Sequence, residues 1–124
     1  MKTHELMSSR VISIHPDEPV SAAARQLRRN NIGALPVCDD SGRLRGMITD
    51  RDIVVRCIAA DMDPGDTRIR EIMSRGVVSV SPDDPVESAA RKMAAHQVRR
   101  LPVVEGQKLV GMLSLCDLAR RSGC

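Results

Sequence analysis

Apolar and polar positions along this chain switch between two periods, and the whole pattern is written twice. Val11 to Ile14 is a β-branched run stopped by His15-Pro16, which predicts a short strand. Asp17-Glu18-Pro19 then opens a helix, since acidic residues and proline suit a helix start. Val20, Ala23, Ala24 and Leu27 recur at helical spacing as its apolar stripe, Arg25, Arg28 and Arg29 face away, and Asn30-Asn31 closes it. Ala34 to Cys38 reads as a strand, Asp39-Asp40-Ser41-Gly42 as a hairpin turn, and Leu44 to Ile48 as the returning strand. Thr49 has the place of a helix cap whose hydroxyl can take the amide of Asp52. The helix that it starts carries Ile53, Val54, Cys57 and Ile58 and runs to about Asp61.

The second writing follows after Asp63-Pro64-Gly65-Asp66 and a short helix over Thr67 to Met73. Val11 to Val20 returns as Val77 to Val86, Leu35-Pro36-Val37 as Leu101-Pro102-Val103, and Glu5-Leu6-Met7-Ser8 as Glu71-Ile72-Met73-Ser74. Gly46-Met47-Ile48-Thr49-Asp50-Arg51-Asp52 returns as Gly111-Met112-Leu113-Ser114-Leu115-Cys116-Asp117, one position early because the intervening turn is shorter. A strand (Val77–Val80), a helix (Val86, Ala89, Ala90, Met93), two strands (Leu101–Val104, Lys108–Leu113) and a helix from Ser114 to about Arg121 complete it. The predicted fold is α/β (α+β), two β-α-β-β-α repeats over 1–62 and 63–124 related by a pseudo-two-fold axis. Neither repeat is long enough to be stable alone, so each is expected to need the other, with clefts between them.

Composition narrows the chemistry. The chain has 124 residues and no Phe, Tyr or Trp, so its core must come from Val, Ile, Leu, Met and Ala. That absence argues against single-stranded nucleic-acid binding, which relies on aromatic stacking. A net charge of +3, from 19 basic and 16 acidic residues, suits a small anion but is no nucleic-acid footprint. No apolar run is long enough to span a bilayer and no signal-peptide stretch follows Met1, which predicts a cytoplasmic chain without a membrane partner. Cys38, Cys57, Cys116 and Cys124 form no C-x-x-C pair and have no histidine at ligand spacing, so no metal site is expected. They read as free thiols, with Cys38 and Cys116 buried and structural. His4, His15 and His96 are scattered surface or loop positions, and no nucleophile, base and orienting group form an enzyme constellation.

The repeat order, the two Leu-Pro-Val strands and the two Gly-h-h-Thr/Ser-x-x-Asp junctions, where h is apolar, resemble a tandem pair of CBS domains, the Bateman module. The resemblance covers almost the whole chain and extends to small stand-alone bacterial pairs. It implies a non-enzymatic regulatory module that needs no cofactor and binds an adenine nucleotide of the AMP, ADP, ATP or S-adenosylmethionine class between the repeats. The output then goes to a separate effector protein. It also implies a homodimer through the helices that follow each junction.

A helix N-terminus offers free amides and a partial positive charge, so Thr49 and Ser114 sit where a phosphate can dock. Asp52 and Asp117, one turn on, can accept ribose hydroxyls. Thr-x-x-Asp is equally a plain capping pattern. The resemblance pairs each junction with the other copy's strands. The first grouping is Met47, Thr49 and Asp52 with Val77, Val78, Arg99, Arg100 and Pro102. The second, weaker grouping is Met112, Ser114 and Asp117 with Val11, Ile12, Ile32, Gly33, Ala34 and Pro36, with no cation among them. Arg99 and Arg100 suit a phosphate, or else form a solvated strand end. The alternative function is a ligand-free structural or protein-interaction dimer.

Overall fold

The computed structural model describes residues 1–121; Cys124 lies outside the described residues. The chain divides into two compact units. An inner unit runs from Ile12 to Val77, and an outer unit joins Met1–Val11 to Val78–Cys124. The repeats divide the chain by sequence, whereas the units divide it by packing, because each lead-in segment packs in the unit that holds the other copy's sheet.

The inner unit contains a helix α2 (Val20–Asn30), a hairpin of β1 (Ala34–Cys38) and β2 (Leu44–Thr49), a single turn α3 (Asp50–Asp52) and a π-helical stretch over Ile53–Ile58. The outer unit begins with a short helix α1 (Thr3–Leu6) and continues with α4 (Val86–His96), β3 (Arg100–Glu105), β4 (Lys108–Ser114) and α5 (Leu115–Arg121). Each hairpin is antiparallel, with Ala34 opposite Thr49 and Pro36 opposite Met47, and Arg100 opposite Ser114 and Pro102 opposite Met112. Both long helices end on a left-handed residue, Asn31 in α2 and Gln97 in α4, as the Asn30-Asn31 stop implies for the first. Gly106 and Gln107 form a two-residue turn with both φ positive, which explains why the second copy comes one position early.

The expected first strand of each copy is cut down to a single bridging residue. Ile14 bridges Val37 and Val80 bridges Val103, both parallel. Ile14 donates to the Pro36 carbonyl at 3.1 Å and accepts from Cys38 at 2.9 Å. The next bond upstream needs an N–H from Pro36 or Pro102, which proline lacks, so the pairing stops there. The helix expected after Thr49 also differs, because after α3 it widens into the π-helical stretch, with the Ala59 amide donating to Val54 five residues back. Ile53-Val54-Val55 are all β-branched and crowd an α-helical turn. The helix expected over Thr67 to Met73 shrinks to a 3-10 turn, Ile69–Glu71.

Each unit has its own apolar core. Ile14, Val20, Leu27, Leu35, Val37 and Ile48 pack with the lead-in residues Ile69, Ile72 and Met73. Val80, Ala89, Met93, Leu101, Val103 and Leu113 pack with Leu6 and Met7. Cys38 is buried as expected, but Cys116 is exposed. It occupies the second position of α5, where Asp117 turns inward and its neighbour turns out.

Candidate functional site at the strand-to-helix junctions

Both junctions are built the same way, from the lead-in upward. In the inner unit Met47 and Ser74 exchange two backbone hydrogen bonds, each 2.9 Å. In the outer unit Met112 and Ser8 do the same, again at 2.9 Å. A Cβ on Gly46 would stand 2.5 Å from the Ser74 carbonyl oxygen, and one on Gly111 would stand 2.9 Å from that of Ser8. The glycine of each Gly-Met motif is therefore there because the lead-in crosses too close for a side chain.

One turn further, each motif closes a reciprocal cap. The Thr49 hydroxyl accepts the Asp52 amide at 3.0 Å, and Oδ2 of Asp52 accepts the Thr49 amide at 2.9 Å. The Ser114 hydroxyl accepts the Asp117 amide at 3.1 Å, and Oδ2 of Asp117 accepts the Ser114 amide at 2.8 Å. The capping reading of Thr-x-x-Asp is thus realised at both places. The cap uses only part of each carboxylate: Oδ1 and a second lone pair on Oδ2 remain. Both aspartates are buried, at 9% and 5% exposure, so those lone pairs are directed and poorly hydrated.

The expected site residues fall into two sets. Ile12, Ile32, Gly33, Ala34, Pro36, Met47, Thr49, Asp52 and Val77 belong to the inner unit, and Val78, Arg99, Arg100, Pro102, Met112, Ser114 and Asp117 to the outer. Within a unit each junction is brought beside its own copy's pre-proline strand. The Gly33 carbonyl accepts the Asp50 amide at 3.0 Å, and the Arg99 carbonyl accepts the Leu115 amide at 2.8 Å. Ile12, Arg99 and Arg100 are exposed, Met47 and Met112 are half-buried, and Pro36 and Pro102 are buried. Neither Arg99 nor Arg100 has an ion-pair partner among the described residues.

Two arginines not singled out in the sequence touch the motif aspartates. Arg56 Nε lies 3.7 Å from Oδ1 of Asp52, while its Nη1 donates to the Ile72 carbonyl at 3.2 Å. Arg120 hydrogen-bonds Oδ1 of Asp117 directly. The signal for both was the helical spacing, four and three residues after the aspartate. With Arg120 on Asp117 and Arg100 across from Ser114, the second junction is not without cations.

Other titratable groups lie elsewhere in the inner unit. The Arg70 hydrogen bond, aided by the charges of Arg70, His15 and Arg68, holds the Asp17 carboxyl below the usual range. His15 is half-buried, and its Nε2 lies 3.1 Å from an Asp40 oxygen. Burial pushes the Cys38 thiol up, against a hydrogen bond to Ser13. Among the described residues no three His, Cys, Asp or Glu side chains gather as a metal cluster, and no helix is long and apolar enough to cross a membrane.

Comparison with known proteins agrees with this geometry. The CBS domain family profile matches residues 4–58 and 69–123. The CBS domain-containing protein YhcV of Bacillus subtilis is 42% identical over 115 residues, 93% of this chain and 81% of the relative. The crystal structure of Hypoxic Response Protein I with two coordinated zinc ions superposes with a TM-score of 0.89 at 37% identity, covering 97% of this chain and 98% of that one. The curated Hypoxic response protein 1 of Mycobacterium tuberculosis is 38% identical over 94% of this chain and 81% of the relative. The CBS domain pair of protein MJ0100, in complex with 5′-methylthioadenosine and S-adenosyl-L-methionine, superposes with a TM-score of 0.85 at 31% identity, covering 99% of this chain and 96% of that one. A family profile that matches both halves of the chain, with relatives similar over nearly its whole length, shows that it belongs to the CBS domain family and carries two CBS domains in tandem.

Proposed function

We propose that this chain is a non-enzymatic regulatory module that binds an adenosine-bearing ligand, an adenine nucleotide or S-adenosylmethionine, and passes the bound state to a separate effector protein. The observation that carries the reading is the pair of reciprocal caps. Each buries an aspartate beside a helix N-terminus and uses one oxygen of its carboxylate, leaving Oδ1 open to hydroxyl donors at Asp52 and bonded to Arg120 at Asp117. A ribose diol supplies such donors. The Asp50, Arg51 and Asp52 amides already donate to Gly33, Asp50 and Thr49, so a phosphate beside the ribose relies on side chains. The similar MJ0100 pair in complex with two adenosine derivatives supports the ligand class.

In this proposal the first ligand draws on Met47, Thr49 and Asp52 together with Val77, Val78, Arg99, Arg100 and Pro102, the grouping that the family resemblance implies. A second, weaker ligand draws on Met112, Ser114 and Asp117 with Ile12, Ile32, Gly33, Ala34 and Pro36. Binding regulates by linkage: a ligand that favours one arrangement of the protein shifts its population, and the effector reads that state.

We also assign the chain a homodimeric state. Val54, Val55 and Ile58 on the π-helical stretch are 58%, 49% and 52% exposed, and Leu115 at the start of α5 is 51% exposed. Large aliphatic side chains left exposed on a helix, three of them within five residues here, mark an interface.

A thermal-shift panel of AMP, ADP, ATP, S-adenosylmethionine, 5′-methylthioadenosine and GMP tests the ligand reading. A ligand at 100 times its dissociation constant stabilises by about 2.7 kcal/mol, a shift of several degrees for a chain of this size. Adenosine-bearing ligands are expected to raise the melting temperature and GMP is not. No shift with any of them overturns the reading in favour of a ligand-free interaction dimer.

A further inference from the structure

The two junctions differ in what their aspartates already hold. Oδ2 of each accepts its own cap amide, so Oδ1 is the oxygen that decides what else can bind. At Asp117 that oxygen is taken, because the Arg120 guanidinium hydrogen-bonds it. At Asp52 it is not, because Arg56 stands back at 3.7 Å and spends its Nη1 on the Ile72 carbonyl. The contrast follows from spacing and anchoring. Arg120 comes three residues after its aspartate and has no backbone carbonyl drawing it off among the described residues. Arg56 comes four residues after its aspartate and is tethered to the lead-in.

Arg120 also has somewhere to go. A cavity of about 480 Å³ lies beside it, lined by Glu5, Leu6, Met7, Ser8, Asp117 and Arg120 itself. Glu5 on that wall, whose Oε2 accepts the Lys2 amide at 3.2 Å, brings a second carboxylate to the same cavity. The Arg120 side chain is 69% exposed while that of Asp117 is 7% exposed, so the contact lays an exposed cation over a buried anion.

We infer that Arg120 is an internal competitor for the second junction: it holds the Asp117 Oδ1 that a ribose would use, and a ligand hydroxyl gains that oxygen only in competition with it. This rests on the adenosine reading above. The free energy of an exposed ion pair is small, so the competition weakens a neutral nucleoside by a few-fold and does not close the site. A nucleoside hydroxyl must replace a charged donor with a neutral one, whereas the open Oδ1 of Asp52 imposes no such exchange.

The test compares the intact protein with its Arg120→Gln and Arg56→Gln variants. The carbon-13 signal of the Asp117 carboxyl is followed without ligand, and adenosine is then titrated while both aspartate signals are watched. The expected result is a shift of the Asp117 carboxyl signal in Arg120→Gln, a smaller shift of the Asp52 signal in Arg56→Gln, and adenosine affinity at the second junction raised about two- to fivefold by Arg120→Gln. An Asp117 signal unmoved by Arg120→Gln overturns the contact. A moved signal with unchanged or weaker adenosine binding at the second junction, while the first still binds, overturns the competition and leaves the adenosine reading standing. A moved signal with no adenosine binding at either junction in any of the three proteins removes that reading and the competition with it.

Discussion

Thr49 and Asp52 hold each other, backbone to side chain, in both directions: amide to Oδ2 at 2.9 Å and hydroxyl from amide at 3.0 Å. One aspartate therefore has a folding role and a proposed binding role, and two substitutions separate them. Asp52→Ala removes the acceptor for the Thr49 amide and is expected to cost about 0.5–2 kcal/mol in urea unfolding. Asp52→Asn keeps an oxygen for that amide and removes the charge. It is expected to stay within about 0.5 kcal/mol of the parent while weakening AMP roughly tenfold by titration calorimetry, the loss of one charge-assisted contact. Equal AMP affinity in Asp52→Asn and the parent assigns Asp52 to the cap alone.

The glycines of the two junction motifs are expected to be intolerant of alanine for a steric reason. Gly46→Ala drives a Cβ to 2.5 Å from the carbonyl oxygen of Ser74, a residue whose backbone is held to Met47 by two hydrogen bonds. Overpacking of this kind costs about 1–3 kcal/mol. Gly76→Ala is the control, since nothing lies within 4 Å of its Cβ position. Chemical denaturation of the two variants checks this, and similar midpoints would count against the close-crossing explanation.

The homodimer is checked on the π-helical stretch. The parent protein is expected to scatter light as a dimer at micromolar concentration, and Val54→Asp with Ile58→Asp is expected to give a folded monomer. Both positions are exposed in the single chain, so the charges cost the monomer little. A parent protein that is already monomeric removes the assignment.

The thiols should separate by reactivity. Cys116 is exposed, whereas Cys38 and Cys57 are buried and burial raises the Cys38 thiol above its ordinary value. In a Cys124→Ser background, peptide mapping after brief alkylation at pH 8 is expected to find Cys116 labelled first, with Cys38 and Cys57 both slow. Labelling of Cys38 as fast as Cys116 would contradict its burial.

Asp17 carries an acid-side pH dependence. Its carboxyl is held below the ordinary range by Arg70, so its contribution is present above that range and is lost as pH falls through the folded value. Arg70→Gln is expected to raise the Asp17 midpoint in a carbon-13 titration and to flatten the acid limb of the stability curve. An unmoved midpoint would mean that the contact is too exposed to matter.

The sequence by itself determined the repeat, the long helices, both hairpins and both caps. These are local: apolar period, turn residues and a Thr-x-x-Asp spacing act within a few residues, and copying them 66 positions later, from Val11 to Val77, marks them as design. What depended on distant partners was decided only by the tertiary structure. The strands at Ile14 and Val80 shrank to single bridges because their partner strands carry Pro36 and Pro102, which offer no amide. The lead-ins crossed to the other copy's sheet, a choice made by Gly46 and Gly111, which alone leave room for a second backbone. Cys116 turned outward because Asp117, its neighbour on the helix, was pulled in to close the cap. The unequal hold of Arg56 and Arg120 on the two aspartates likewise follows from a carbonyl at Ile72, which is far from Asp52 in sequence and within reach of Arg56 only once the lead-in has packed.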